Sequence, residues 1–225
     1  EDTRVMIGAL QQLGFSPEND IESHTLKITG LGGNFPQTTT QDEKVEPAEI
    51  YIANSGTTVR FLTAALCLAR TGATYRLHGT PRMGERPIKD LLDTLHALGA
   101  DVQSETETGC PPVLIRGQGL PGGTARVAGD ISSQYLSALL MCAPGAQDDV
   151  VLEVDGILVS QPYVTMTLEV MRSFGADVQA KTDLSRFVIP KASSYTGTDY
   201  SIEPDASAAS YFFAAAAVTG SRVTV

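Results

Sequence analysis

The sequence predicts an α/β domain of three related units, with buried apolar helices and, around them, sheets and outer helices. Three observations predict it. An amphipathic helical segment closing on glycine occurs three times. A nearly all-apolar helical segment also occurs three times, and short β-branched runs separate them. Recurrence at about 75–85 residues marks repeated supersecondary units.

The amphipathic segments are DTRVMIGALQQLGF, RPIKDLLDTLHALGADV and QPYVTMTLEVMRSFGADV, closing on Gly14, Gly99 and Gly175. Glycine after the last apolar residue suits a left-handed helix cap. Met6, Leu10 and Leu13 form one stripe. Ile88, Leu91, Leu92, Leu95 and Leu98 form the second, and Tyr163, Met166, Val170, Met171 and Phe174 the third. Such spacing buries one helix face and leaves the other wet.

The apolar segments are SGTTVRFLTAALCLA, SSQYLSALLMCA and ASAASYFFAAAAVTG, starting near Ser55, Ser132 and Ala206. Each begins at cap-type residues: Asn54 and Ser55, Ser132 and Ser133, Asp205 and Ser207. Helices apolar nearly all round belong inside, so all three are expected to pack together. TLKITG, PVLIRGQG and RFVIPK read as strands after the outer helices, and TYRLHG, VVLEVDG and SRVTV as strands after the inner ones. The pattern opens inside a helix at Glu1 and stops inside a strand at Val225. The expectation is therefore a single domain over residues 1–225, cut from a longer chain.

With 42% hydrophobic and 19% charged residues, the chain is expected to fold rather than remain disordered. Sixteen Lys and Arg against 26 Asp and Glu give a net charge of −10 without a basic patch, which argues against nucleic acid. An anionic substrate would depend on local arginines and helix N-termini, since salt screens charges beyond ~8 Å. No apolar run approaches the ~20 residues of a membrane span, and no signal peptide is visible. Cys67, Cys110 and Cys142 form no CxxC, and two lie in apolar runs. Reduced thiols and a cytoplasmic location are expected. His24, His78 and His96 lack metal-ligand spacing.

Five motifs could carry chemistry. In NSGTTVRFLTA (Asn54–Ala64), Gly56 would let a ligand approach the backbone at a helix mouth; the alternative is capping alone. In GTPRMGERPIKDLL (Gly79–Leu92), Arg82 and Arg86 offer guanidinium forks before a helix opened by Pro87. The alternative there pairs Arg86 with Glu85 or Asp90 on the surface. In GDISSQYLSALLMCAP (Gly129–Pro144), Ser132, Ser133 and Gln134 could cradle a phosphate or simply cap. In VDGILVSQPYVTM (Val154–Met166), Ser160 and Tyr163 bracket Pro162, and Tyr163 could instead anchor the helix stripe. In IEPDASAASYFFAAAA (Ile202–Ala217), capping by Asp205 is the preferred reading. Neither a GxSxG elbow nor a GxxxxGKS loop is present.

Taken in order, these motifs resemble those of the 5-enolpyruvylshikimate-3-phosphate synthase family, the 3-phosphoshikimate 1-carboxyvinyltransferases. NSGTTVRFLTA resembles N-[AS]-G-T-x-x-R, and TPRMGERPIKDL resembles P-R-M-x-x-R-P-I. DISSQYLSALLM, LVSQPYVTMTLEVM and EPDASAASYFFAAAA complete the set, so the resemblance runs from Asp2 to Val225.

The resemblance implies a fold of two similar domains, each of three α/β units in pseudo-threefold arrangement. It implies transfer of the enolpyruvyl group of phosphoenolpyruvate to shikimate 3-phosphate in aromatic amino acid biosynthesis, without metal or organic cofactor. It also implies that Gly56 and Arg82 border phosphoenolpyruvate and that Ser132, Ser133 and Ser160 hold the shikimate phosphate or hydroxyls. Gln134 would reach both substrates, Tyr163 would line the shikimate side, and Asn54 and Arg60 would support the glycine loop. No residue of this chain is implied as the catalytic acid or base.

Gln161 and Pro204 depart from the family's more usual Lys and Gly. The family's G-S-K-S-x-x-x-R segment and the partner domain with its acid/base groups lie outside the sequence. Half an active site, inactive alone, is therefore expected. Two alternatives are a non-catalytic binding module of the same fold and the related transferase acting on UDP-N-acetylglucosamine.

Overall fold

The computed structural model describes residues 2–32, 35, 46–130 and 132–225; Ile131 of the GDISSQ motif lies outside the described residues. The elements are α1 (Asp2–Gln12), β1 (Glu18–Asp20), β2 (Thr25–Lys27), β3 (Ala48–Tyr51), α2 (Gly56–Leu66), β4 (Thr74–His78), α3 (Lys89–Ala97), β5 (Asp101–Ser104), β6 (Val113–Arg116), β7 (Gly123–Ala128), α4 (Ser133–Cys142), β8 (Val150–Asp155), α5 (Gln161–Ser173), β9 (Gln179–Ala180), β10 (Arg186–Ile189) and α6 (Ala206–Thr219).

Two of the three predicted units are complete, and they are copies of one topology. The first is a four-stranded sheet in the order β3-β4-β6-β5, the second a sheet in the order β7-β8-β10-β9. In each, the first two strands are parallel and joined by an apolar helix, α2 or α4. Parallel neighbours need such a crossover. An amphipathic helix, α3 or α5, then leads to an antiparallel pair that closes the sheet. The strand faces alternate as a half-buried sheet requires: Tyr75 and Leu77 point inward while Arg76 points out.

The three predicted glycine caps share one geometry. Gly14, Gly99 and Gly175 have φ of 86°, 88° and 87°. The residue after each donates to a carbonyl five positions back: Phe15 to Leu10 (3.0 Å), Ala100 to Leu95 (2.9 Å) and Ala176 to Met171 (3.0 Å). This is the Schellman arrangement, which satisfies otherwise orphaned carbonyls at the helix end.

The α3 stripe is buried as predicted, with Ile88, Leu91, Leu95 and Leu98 all at 0% exposure. Each such leucine contributes roughly 1.5–3 kcal/mol of burial. The α5 stripe differs from the expectation. Val164, Leu168 and Met171 are buried, while Tyr163 and Met166 are exposed. Residues 163, 166 and 170 and residues 164, 168 and 171 both satisfy helical spacing, and the second phase faces the core. Tyr163 therefore does not anchor the helix.

The third apolar helix is a second correction. α6 forms, capped by Asp205, whose Oδ1 accepts from the Ser207 and Ala208 amides (2.9 and 3.1 Å). None of its residues is buried, and Tyr211, Phe212 and Phe213 are exposed. Alanine propensity and a good cap are enough to form a helix, whereas burial needs a covering surface that the described residues do not supply. Among the described residues, α2 and α4 pack together as inner helices and α6 does not join them. SRVTV makes no strand, and TLKITG yields only β2, in an exposed hairpin with β1.

Cys67 and Cys142 are buried and Cys110 half-buried, all as free thiols. Burial pushes the Cys67 thiol well up and the Cys142 thiol up to about 12. Among the described residues, no helix is long and apolar enough to cross a membrane.

On the outer face of the first sheet, Arg76 Nη2 lies 2.7 Å from Glu105 Oε2, and Arg76 Nη1 lies 3.0 Å from Glu49 Oε2. The hydrogen bonds from Arg76 hold the Glu105 carboxyl below its ordinary value of 4.5. A depressed carboxylate stabilises the fold fully above that ordinary value, and the stabilisation is lost as pH falls through the lower folded-state value. Urea midpoints of Glu105→Gln and the wild type should therefore differ at pH 7 and converge with increasing acidity. A constant difference from pH 7 to pH 3 would rule out this pair as a source of acid sensitivity.

Candidate anion-binding site

The motif residues cluster where the parallel strands end. In the first unit, β3 and β4 run into loops stitched by Ile52 N–H to His78 O (2.8 Å) and Thr80 N–H to Ala53 O (2.9 Å). In the second, the matching bonds run from Gly129 N–H to Asp155 O (2.9 Å) and from Val159 N–H to Gly129 O (2.8 Å). Carboxyl ends of parallel strands present helix N-termini, whose free amides and dipole favour anions. Here those helices are α2 and α4, packed side by side.

Ser55 caps α2, its Oγ accepting from the Thr58 amide at 3.2 Å. Gly56 follows as the first helical residue and is buried. Ser132 caps α4, accepting from the Gln134 amide at 3.3 Å, and Ser133 opens the helix; both are half-buried. The capping readings thus hold for Ser55 and Ser132 but do not exhaust the sites. Ser133 leaves its hydroxyl at the helix mouth.

Arg60 and Gln134 join the two helices. Arg60 Nη1 donates to Gln134 Oε1 at 2.7 Å and to Gly56 O at 3.2 Å. Its guanidinium lies over the Tyr135 ring, 5.3 Å from the centroid. Gln134 Nε2 also reaches Thr57 Oγ1 at 3.5 Å. Arg60 is only 9% exposed, and its Nε is buried without a hydrogen-bond partner among the described residues. A buried guanidinium usually has a carboxylate opposite. Among the described residues, Arg60 and Arg86 have none.

The two arginines of the PRMGER segment take different places. Arg82 sits exposed on the 3-10 turn Pro81–Glu85, with Nη1 3.5 Å from Glu85 Oε2. Arg86 does not pair with Glu85 or Asp90, as the surface alternative has it. Its Nη1 donates to Asn54 O at 3.0 Å, which gives the Asn54 backbone a supporting role. A methyl group added at Gly56 would lie 2.6 Å from Arg60 Nη1 and 2.6 Å from Arg86 Nη2. The two cations therefore stand within about 5 Å of each other, where like charges repel and an anion is attracted.

Ser160 precedes α5 in the left-handed region (φ 56°, ψ 38°), and its side chain makes no capping bond. A non-glycine residue held there carries strain, which often accompanies function. The exposed Tyr163 follows on the first turn of α5, and that helix is tied to α4 by a 2.8 Å bond between Ser137 and Thr167 hydroxyls. Direct contacts thus unite Gly56, Arg60 and Gln134, with Ser132 and Ser133 at the mouth of the helix that carries Gln134, and Arg86 holds Asn54. Ser160 follows the loop bonded to Gly129, Tyr163 lies on the first turn of α5, and Arg82 is exposed on the turn that follows the Thr80–Ala53 bond. The motif offers Arg86 as a guanidinium fork without a place in the implied site, and Thr57 is not singled out by the sequence. Arg82 lies by Glu85 on the surface while Arg86 turns to Asn54 O, a difference for which spacing carries no signal. Two surface clefts of about 560 Å³ and 480 Å³ lie elsewhere, beside Phe15 and Phe174 and between α3 and β7.

Repeated α/β units with cationic helix mouths define an α/β domain suited to anionic small molecules. The chain belongs to the EPSP synthase (3-phosphoshikimate 1-carboxyvinyltransferase) family, whose model matches residues 1–225. It is 45% identical over 227 residues to the chloroplastic 3-phosphoshikimate 1-carboxyvinyltransferase of Solanum lycopersicum, covering 100% of this chain and 43% of that protein. It is 44% identical over 226 residues to the Vibrio atlanticus (strain LGP32) enzyme of that name, covering 100% of this chain and 51% of the relative. The chain thus spans about half the length of these relatives, or less. Among solved structures, EPSP synthase from Acinetobacter baumannii superposes with a TM-score of 0.75 at 23% identity, over 96% of this chain and 45% of that one. The enolpyruvyl transferase NikO from Streptomyces tendae gives 0.60 at 17% identity, over 90% and 44%. These likenesses establish the enolpyruvyl transferase fold.

Proposed function

We propose that this chain is the shikimate 3-phosphate-binding domain of a 3-phosphoshikimate 1-carboxyvinyltransferase. In that reaction the enolpyruvyl group of phosphoenolpyruvate passes to a shikimate 3-phosphate hydroxyl and phosphate leaves. Both substrates are anions. The observation that carries the reading is the pair of guanidinium groups, Arg60 and Arg86, without carboxylate partners among the described residues, at the mouths of α2 and α4. In a chain of net charge −10, a local cationic centre is the feature an anionic substrate needs.

Ser132, Ser133 and Ser160 serve the shikimate phosphate and hydroxyls, and Tyr163 lines that side. Gln134 stands between the substrates, while Gly56 and Arg82 border phosphoenolpyruvate, with Asn54 and Arg60 in support. These roles are positional and electrostatic. Proton transfer falls to groups of a second domain, so the chain alone turns over no substrate. Family membership favours this reading over the UDP-N-acetylglucosamine transferase. The buried thiols support a reducing compartment, read as the cytoplasm; the plant relatives are named chloroplastic.

Calorimetric titration tests the proposal. Shikimate 3-phosphate should bind this chain, and shikimate without the phosphate should bind at least about tenfold more weakly, the scale of a charge-assisted hydrogen bond. Ser133→Ala and Ser160→Ala should each weaken shikimate 3-phosphate. Equal affinity for the two ligands, or tighter binding of a uridine nucleotide, would refute the assignment. Measurable enolpyruvyl transfer by the chain alone would refute the half-site reading.

A further inference from the structure

Arg86 is held from two directions. Its Nη1 donates to Asn54 O at 3.0 Å. The carbonyl of the next residue, Pro87, accepts the Tyr135 hydroxyl at 2.7 Å. Tyr135 is buried on α4 beneath Arg60. The second unit thus fixes the backbone beside Arg86, and the first unit fixes its side chain. The result is a guanidinium set against Gly56, with its Cζ 2.7 Å from where a methyl group there would stand. Glu85, its sequence neighbour, is engaged by Arg82.

We propose that Arg86 is a positioning residue of the Gly56 anion site: it holds the Asn54–Gly56 backbone, and with Arg60 it forms a two-guanidinium clamp whose charge sets anion affinity. The proposal rests on reading this surface as an anion site and gives a role there to Arg86, to which the resemblance assigns none. A methyl group at Gly56 would press on the ends of both arginine side chains, which must shift and so disturb their bonds to Asn54 O, Gly56 O and Gln134.

Two measurements on this chain test the proposal, with inorganic phosphate as the probe. Calorimetric titration should show that Arg86→Ala weakens phosphate by about tenfold or more, the scale of a charge-assisted contact. Arg86→Lys, which keeps the charge, should recover most of that loss. Arg86→Gln keeps a donor for Asn54 O without charge and should not. Urea unfolding should show that Gly56→Ala lowers the midpoint of the wild type and lowers it far less when Arg86 is already alanine, since residues in contact couple. Rescue by Gln as good as by Lys, no phosphate binding by the wild type, or equal Gly56→Ala shifts in both backgrounds would each overturn the proposal. The unfolding cycle uses no ligand, so its outcome is separable from whether shikimate 3-phosphate binds.

Discussion

Arg60→Ala is expected to destabilise the domain by about 2 kcal/mol, or roughly 4–8 °C in Tm at this size, and to abolish detectable phosphate binding. Two effects oppose each other. Removing the side chain leaves Gln134 Oε1 without this donor, takes from Gly56 O the bond it makes beyond the helix ladder, and uncovers the Tyr135 ring. Hydrogen bonds from charged groups are worth roughly 1.5–3 kcal/mol each. Against that, the variant relieves repulsion from Arg86, which at about 5 Å near the protein surface is up to about 3 kcal/mol. The lost bonds win, though not by their full sum. Arg60→Met separates the contributions. It retains the buried stem volume, so its Tm should stay closer to wild type, while its phosphate binding should match the alanine variant. Calorimetric melting and titration of both variants decide it. A methionine variant that still binds phosphate would show that the site does not depend on this charge.

The residues that repeat were readable as repeats because their physics is local. Gly14, Gly99 and Gly175 each end a helix in the left-handed region, and any sequence with the same apolar stripe and glycine signals that cap. The α3 leucines were equally clear, since only one helical phase of that segment is apolar. Where two phases competed, as in α5, the pattern alone was ambiguous and the packed core selected Val164, Leu168 and Met171. The α6 segment shows the converse limit. Its composition specifies a helix but not what covers it, because burial belongs to the neighbouring surface and not to the segment.

The candidate site follows the same division. Caps and the bare glycine at the α2 mouth were legible, since local chemistry fixes them. The reach of Arg60 to Gln134 spans two units, and the reach of Arg86 to Asn54 crosses from one loop to another. Such long-range pairings depend on how α2 meets α4 and on which arginine takes Glu85. Hence the motif offers both Arg82 and Arg86 as guanidinium forks, and only the geometry sets Arg86 against Gly56.

Gly79→Ala should be the most damaging single methyl group in this part of the molecule, costing more than about 3 kcal/mol, or roughly 6–12 °C in Tm. A methyl carbon at Gly79 would lie 2.0 Å from Ala53 O and 3.0 Å from Met83 Cβ. The obstacle is backbone, and that carbonyl already accepts the Thr80 amide at 2.9 Å. Ala53 is itself fixed in the left-handed region with φ 48° and cannot swing away without strain. The two strand-end loops must part, and Asn54 and Gly56 move with Ala53, so phosphate binding should fall along with stability. A glycine of the second unit supplies a comparison. In the strand-end loop after β7, a methyl group at Gly129 would meet Val154 Cγ1 at 2.8 Å and Ile157 O at 3.0 Å, a looser fit against partly adjustable atoms. Gly129→Ala should cost only about 1–3 kcal/mol, the ordinary range for overpacking. Melting both variants side by side tests the ranking. If Gly129→Ala lowers Tm as much as Gly79→Ala does, close backbone approach is not what fixes the loop that carries Gly56.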